Sequence, residues 1–168
     1  MTHLNDVNGL ITRMAEKLDT LTRDAGRDNP AMIGIHTGGV WVAEQLHERL
    51  GISEPLASLD ISFYRDDFTQ IGMNPVVKPS QMPFSIDGRH IILVDDVLHT
   101  GRTIRAAMNE LFDYGRPASI MLAVLVERDG RELPVEANVA GIHVKLQPDE
   151  HIKLSGPDPL ELEIKQVT

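Results

Sequence analysis

The chain has 168 residues, 42% apolar and 24% charged, which suits one globular domain with a real core rather than a disordered segment. A net charge of −9 argues against a generally basic nucleic-acid surface, and the lack of cysteine excludes disulfide and thiolate chemistry. Asp6, Arg13, Glu16 and Lys17 leave no apolar core for a signal peptide, and no run approaches membrane-spanning length, so a soluble cytoplasmic protein with no membrane partner is expected.

Leu4, Val7, Ile11, Met14, Leu18 and Leu21 mark one face of an opening helix. Gly26 to Pro30 breaks it. Met32 to Ile35 reads as a short strand, and His36-Thr37-Gly38-Gly39 turns into a second helix. That helix presents Val42, Ala43, Leu46 and Leu50 to the core and stops at Gly51. Leu56 to Tyr64 is a further strand. Arg65 to Pro83 is polar, carries Pro75, Pro79 and Pro83, and shows no core face. A segment of that length is more often a functional loop than part of the scaffold, so it is read as a lid bringing Arg65, with Lys78 as a second cation, over an anionic substrate.

The stretch Ile91-Ile92-Leu93-Val94-Asp95-Asp96-Val97-Leu98-His99-Thr100-Gly101-Arg102-Thr103 carries the chemistry. Its apolar start reads as a strand buried on both faces, the mark of a parallel sheet. Ile104, Ala107, Met108, Leu111 and Phe112 then recur at helical spacing until Gly115 and Pro117. Asp95 and Asp96 are thereby expected at the carboxyl end of a central strand, where open α/β sheets bind ligands. Thr100-Gly101-Arg102-Thr103 falls at a helix N-terminus, whose N–H groups and dipole favour a phosphate. The threonines add hydroxyl donors, Gly101 allows close approach and Arg102 adds charge. An acidic pair alone is as often solvated charge; joined to this strand and loop it points to a site. The glycines of a dinucleotide fingerprint and of a P-loop are absent.

Ile120 to Val126 is a second fully apolar strand, followed by the charged turn Glu127 to Pro134. Val139 to Val144, His151 to Leu154 and Leu160 to Ile164 are short strands. The seven histidines form no HxxxH or HExxH pair, which argues against a transition-metal site, and His47 and His90 read as surface residues.

The Ile91–Thr103 block resembles the phosphoribosyl-diphosphate (PRPP) motif of type I phosphoribosyltransferases. That resemblance implies an α/β fold formed by residues 1–168 as a single domain. It has a mostly parallel central sheet flanked by helices, a flexible lid (about 65–83) and a small hood from both termini. Within that group, four segments resemble the pyrimidine-operon regulators that are also uracil phosphoribosyltransferases: Asp60 to Asp67, the Ile91–Thr103 block, Gly115 to Ile120, and Leu122 to Arg128 with Arg131 to Pro134. The implied reaction joins uracil to PRPP, giving UMP and diphosphate, with Mg²⁺ held through PRPP, and Asp95 and Asp96 as candidate carboxylates, rather than by a dedicated protein cage.

By the same resemblance Asp95 and Asp96 face the ribose, Thr100, Gly101, Arg102 and Thr103 hold the 5′-phosphate, and Val97 and Leu98 belong to the PRPP- and UMP-binding stretch. Thr37, Gly38, Gly39 and Arg65 take the diphosphate, and Arg128 stands near the base. A homodimer or homotetramer is implied, as is UMP-dependent binding to pyrimidine-operon leader RNA. His99 occupies a place where purine-using relatives carry an acid and the pyrimidine regulators often Tyr. It either accepts the uracil N1 proton or fills the Tyr position by shape.

Three departures bear on function. The relatives usually have Thr-Arg-Gly where this chain has Thr37-Gly38-Gly39, so one cation is missing from the diphosphate turn. Gly141-Ile142 stands where they carry Gly-Lys, and Glu16 where they place a basic residue or His, both in parts associated with RNA contact. Two other readings therefore stand beside the enzyme: an RNA-binding attenuator with vestigial catalysis, and a phosphoribosyltransferase for another base.

Overall fold

Strands that are apolar on both faces need helices on both sides, and the chain supplies them in alternation. The computed structural model describes residues 2–4, 6–61 and 80–167. The elements are β1 (Thr2–Leu4), α1 (Val7–Asp24), β2 (Ala31–Ile35), α2 (Gly38–Leu50), β3 (Ala57–Leu59), β4 (His90–Leu98), α3 (Arg102–Tyr114), β5 (Ser119–Arg128), β6 (Val139–Val144), β7 (Glu150–Ser155) and β8 (Glu161–Gln166).

Five strands form a parallel sheet in the order β3-β2-β4-β5-β6. Alternate residues of β4 serve opposite faces. Ile92 and Val94 pack with Met14 and Leu18 of α1 and Val42 and Leu46 of α2, whereas Ile91 and Leu93 pack with Ile104, Ala107 and Leu111 of α3. These side chains are essentially removed from water, each of them larger than alanine contributing about 1.5–3 kcal/mol of transfer free energy. A second sheet, antiparallel and ordered β1-β8-β7, joins both ends of the chain; its Ile152, Leu154 and Leu162 close over the α1 side of the core.

Several expectations are corrected. Leu4 belongs to β1, opposite Leu162, and the helix begins after Asp6, whose Oδ1 accepts from the Gly9 N–H at 2.9 Å. Phe112 lies outside the core, 57% exposed, because Leu111 already takes the inward position on that turn. Strand β4 does not end at the acids. It runs through them to Leu98, because β5 is long enough to keep pairing, with Val97 opposite Val126 and Leu98 opposite Glu127. The Leu56–Tyr64 strand is assigned only over Ala57–Leu59 among its described residues. His47 and His90 are part-buried rather than surface residues, bonded to the Glu54 carbonyl and the Ser119 hydroxyl, each at 2.7 Å.

Candidate active site

The order of the strands decides where a ligand can sit. From β2 the chain moves outward to β3, then returns to β4 on the other side of β2. Helix α2, after β2, packs on one face of the sheet, and α3, after β4, on the other. The loops leaving β2 and β4 therefore diverge and leave a crevice at their carboxyl ends, the topological switch point of an open α/β sheet. Thr37 to Gly39 forms one wall and Asp95 to Thr103 the other.

Strand β2 stops at Ile35, while β4 runs on for four residues beyond its last pairing with β2 at Val94. The 37–39 turn fills the space alongside. A Cβ on Gly38 would stand 2.2 Å from Asp96 Oδ2, and one on Gly39 would stand 2.7 Å from the Val94 carbonyl and 3.0 Å from Asp95 Cα. Only glycine lets the turn lie this close to the acids. A side chain at position 38 would require the Asp96 carboxylate, which stands in its path, to turn aside.

Asp95 is buried, and its Oδ1 accepts from the Asp96 N–H at 2.8 Å; Asp96 Oδ1 accepts from the Val97 N–H at 2.8 Å. The bonds orient both carboxylates at the crevice floor. No group of three or more His, Cys, Asp or Glu able to hold a metal occurs among the described residues. Two adjacent carboxylates on the part of β4 that runs past β2 nonetheless fit Mg²⁺, a hard cation that keeps most of its coordination as water and substrate oxygens. Asp95 and Asp96 would hold it, and when bound it supplies charge neutralisation for an anionic leaving group.

The other wall is the loop Thr100–Thr103, at the N-terminus of α3. Gly101 caps α3 at φ +96°, a left-handed conformation that favours glycine, and no side chain caps the helix. The Thr100 hydroxyl accepts from the Arg102 N–H at 3.2 Å, which leaves its own proton to donate. The loop is braced from outside by the turn after β5. The Thr100 carbonyl accepts from Glu132 and Leu133 at 2.9 and 3.1 Å, and Arg102 Nε pairs with Glu132 Oε1 at 3.0 Å. Arg102 is thus partly committed to Glu132. Thr103 lies in the first turn of α3, half-buried.

The phosphoribosyl transferase domain family matches residues 2–151. Two curated relatives are bifunctional PyrR proteins: one from Nitrosococcus oceani, 58% identical over 96% of this chain and 93% of its own length, and one from Pseudomonas aeruginosa, 57% identical over 93% and 92%. The chain belongs to the PyrR family of type I phosphoribosyltransferases. Among solved structures, a purine phosphoribosyltransferase from Pyrococcus horikoshii superposes with a TM-score of 0.61 at 26% identity, over 83% of this chain and 82% of that one. The hypoxanthine phosphoribosyltransferase of Trypanosoma cruzi superposes at 0.71 over 100% and 98%; at 20% identity it speaks for the fold alone.

Within this PyrR-family site, the structure brings together Thr37, Gly38, Gly39, Asp95, Asp96 and the 99–103 loop. Leu98 is a core residue at 1% exposure, so its side chain serves packing. Arg65 and Lys78, with most of the expected lid, lie outside the described residues. The end of that segment is described: Ser58 and Gln81 exchange two backbone bonds of 2.9 Å, which lays it along β3. Among the described residues no helix is long and apolar enough to cross a membrane.

At the far end, beside β5, Arg128 and His99 meet. The His99 ring lies over Gly130, where an added Cβ would stand 2.9 Å from Nε2. Partial burial, then the nearby Arg128 charge, hold the imidazole below its ordinary value of 6.5 against the opposing pull of Glu132 and Asp129. Arg128 Nε is buried with no hydrogen-bond partner among the described residues. Beside it an open cleft of about 410 Å³ is lined by Arg128, Asp129, His143 and Lys145, among others. Sequence reading missed the part played by Arg131 and Glu132: they stood in a charged turn and in a segment shared with the pyrimidine regulators, with no role of their own, yet they brace the 99–103 loop. Their alternation of charge was the available signal.

Proposed function

We propose that this chain transfers the phosphoribosyl group of PRPP to uracil, giving UMP and diphosphate, and that UMP-dependent binding to pyrimidine-operon leader RNA accompanies the activity. The observation that carries the reading is the meeting of three anion- or ribose-handling parts in one crevice: the 37–39 turn against Asp96, the acid pair, and the phosphate loop. Kinship with proteins named bifunctional PyrR supports the pyrimidine base. The bond from ribose C1 to diphosphate breaks, the bond from C1 to uracil N1 forms, and the N1 proton leaves. Charge builds on the diphosphate while the sugar becomes electron-poor, so positioning and electrostatics carry the rate. The 37–39 turn offers main-chain N–H groups at the start of α2 to the departing anion, and the acids orient the ribose hydroxyls.

The deciding assay is UMP formation from uracil and PRPP with Mg²⁺, beside hypoxanthine, guanine and orotate. Turnover of one of those bases but not uracil would replace the uracil reading. Gly38 in place of a cation favours a second reading, a nucleotide-sensing RNA binder with vestigial catalysis. That reading predicts tight, UMP-enhanced and salt-sensitive RNA binding without turnover.

Thr103→Val is expected to weaken PRPP and UMP binding together, since both carry the phosphate assigned to this loop. One hydrogen bond to a charged partner is worth roughly 1.5–3 kcal/mol. Calorimetric affinities moving in opposite directions would place the phosphate elsewhere.

His99 with a lowered pKa is neutral at pH 7 and able to accept a proton. If it takes the N1 proton, kcat/KM falls as the pH drops through that pKa, so the acidic limb lies below 6.5. His99→Tyr should abolish this limb. An unchanged profile at a similar rate would make His99 a shape-filling residue.

A further inference from the structure

We propose that Arg131 is a positioning residue that sets the spacing between the base end and the phosphate end of the site; this rests on the reading above, in which one nucleotide spans both. Its guanidinium joins the two. Nη1 donates to the main-chain carbonyl of His99, at the head of the phosphate loop, and reaches the Arg128 carbonyl at 3.5 Å. Nη2 donates to Glu127 Oε1 at 2.8 Å, at the end of β5. The other Glu127 oxygen lies 3.2 Å from His143 Nδ1, which links the pair onward to β6. Arg131 and Glu127 keep only 26% and 15% of their side-chain exposure, so their attraction is less screened than that of a surface pair.

The turn has main-chain bonds besides this contact. Its backbone holds itself through Val135 N–H to the Leu133 carbonyl at 2.8 Å, and holds the loop through the two bonds to Thr100. What Arg131 adds is a link from the loop to the strand end. A planar fork can bind the His99 carbonyl and the Glu127 carboxylate at once, whereas the ammonium of a lysine is a point charge on a flexible stem. UMP, which must touch both ends, should therefore feel the link, and a ligand that lacks the base should not.

The test compares the whole protein with Arg131→Met and Arg131→Lys, measuring affinity for UMP and for ribose 5-phosphate, steady-state kinetics and Tm. The expected result for Arg131→Met is a loss of about tenfold in UMP affinity and in kcat, with ribose 5-phosphate affinity and the KM for PRPP within about twofold. Arg131→Lys should recover only part of the loss. Should Arg131→Met fail to fold, Glu127→Gln, which keeps the acceptor but removes its charge, carries the same comparison at smaller size. Equal losses for UMP and ribose 5-phosphate, or a lower Tm with unchanged affinities and kcat, would overturn the proposal while leaving the uracil reading intact. Wild-type protein that binds ribose 5-phosphate but neither forms nor binds UMP would overturn that reading, and the inference with it.

Discussion

Asp95→Asn combined with Asp96→Asn is expected to cut UMP formation by roughly three orders of magnitude while the protein stays folded. Asparagine Oδ1 can accept the same bonds that Asp95 and Asp96 take from the Asp96 and Val97 N–H groups, so local geometry survives. What is lost is two negative charges at the crevice floor, with the hold on ribose hydroxyls and on a Mg²⁺-bound substrate that we propose for them. Steady-state rates beside a thermal melt make the check. Full activity in a well-folded double variant would remove the acids from the mechanism.

Gly39→Ala should be nearly as damaging, for a different reason. The added methyl would meet the Val94 carbonyl at 2.7 Å and Asp95 Cα at 3.0 Å, and both are backbone atoms that cannot turn aside. The 37–39 turn has to lift from β4, at a cost of about 1–3 kcal/mol in stability. A displacement on the order of 1 Å at a reacting site costs about a hundredfold in rate. Denaturant unfolding and kcat/KM measured together will separate the two effects. An alanine variant with wild-type rate would show that the turn's closeness to the acids is dispensable.

The parts of this molecule that were legible in the sequence are those decided locally. Ile91 to Val94 announces a strand covered on both sides because every residue is apolar, and both faces are indeed filled, by α1 and α2 on one and α3 on the other. Gly51 and Gly115 mark the ends of α2 and α3 through backbone freedom alone. The parts that were not legible depend on distant partners. That β4 continues through Asp95 and Asp96 follows from the length of β5. Leu4 joins a strand because β8 offers it an edge, although its spacing suits the helix. Arg131 reaches the His99 carbonyl across more than thirty positions, and no periodicity announces a side chain bonded to a remote main-chain atom. The Asp96 carboxylate in the path of any residue-38 side chain is a three-dimensional fact of the same kind.

Thr2 to Leu4 pairs with Leu162 to Ile164, so the first strand finds its partner only after nearly the whole chain has been made. On the ribosome the parallel sheet, from β2 to β6, can collect its strands in turn while β1 waits. The antiparallel layer then docks last, onto α1 apolar surface that has stayed wet throughout synthesis. A nascent chain halted before β8 should hold a formed crevice beneath an uncovered flank, which makes that flank the stretch most in need of a chaperone's protection.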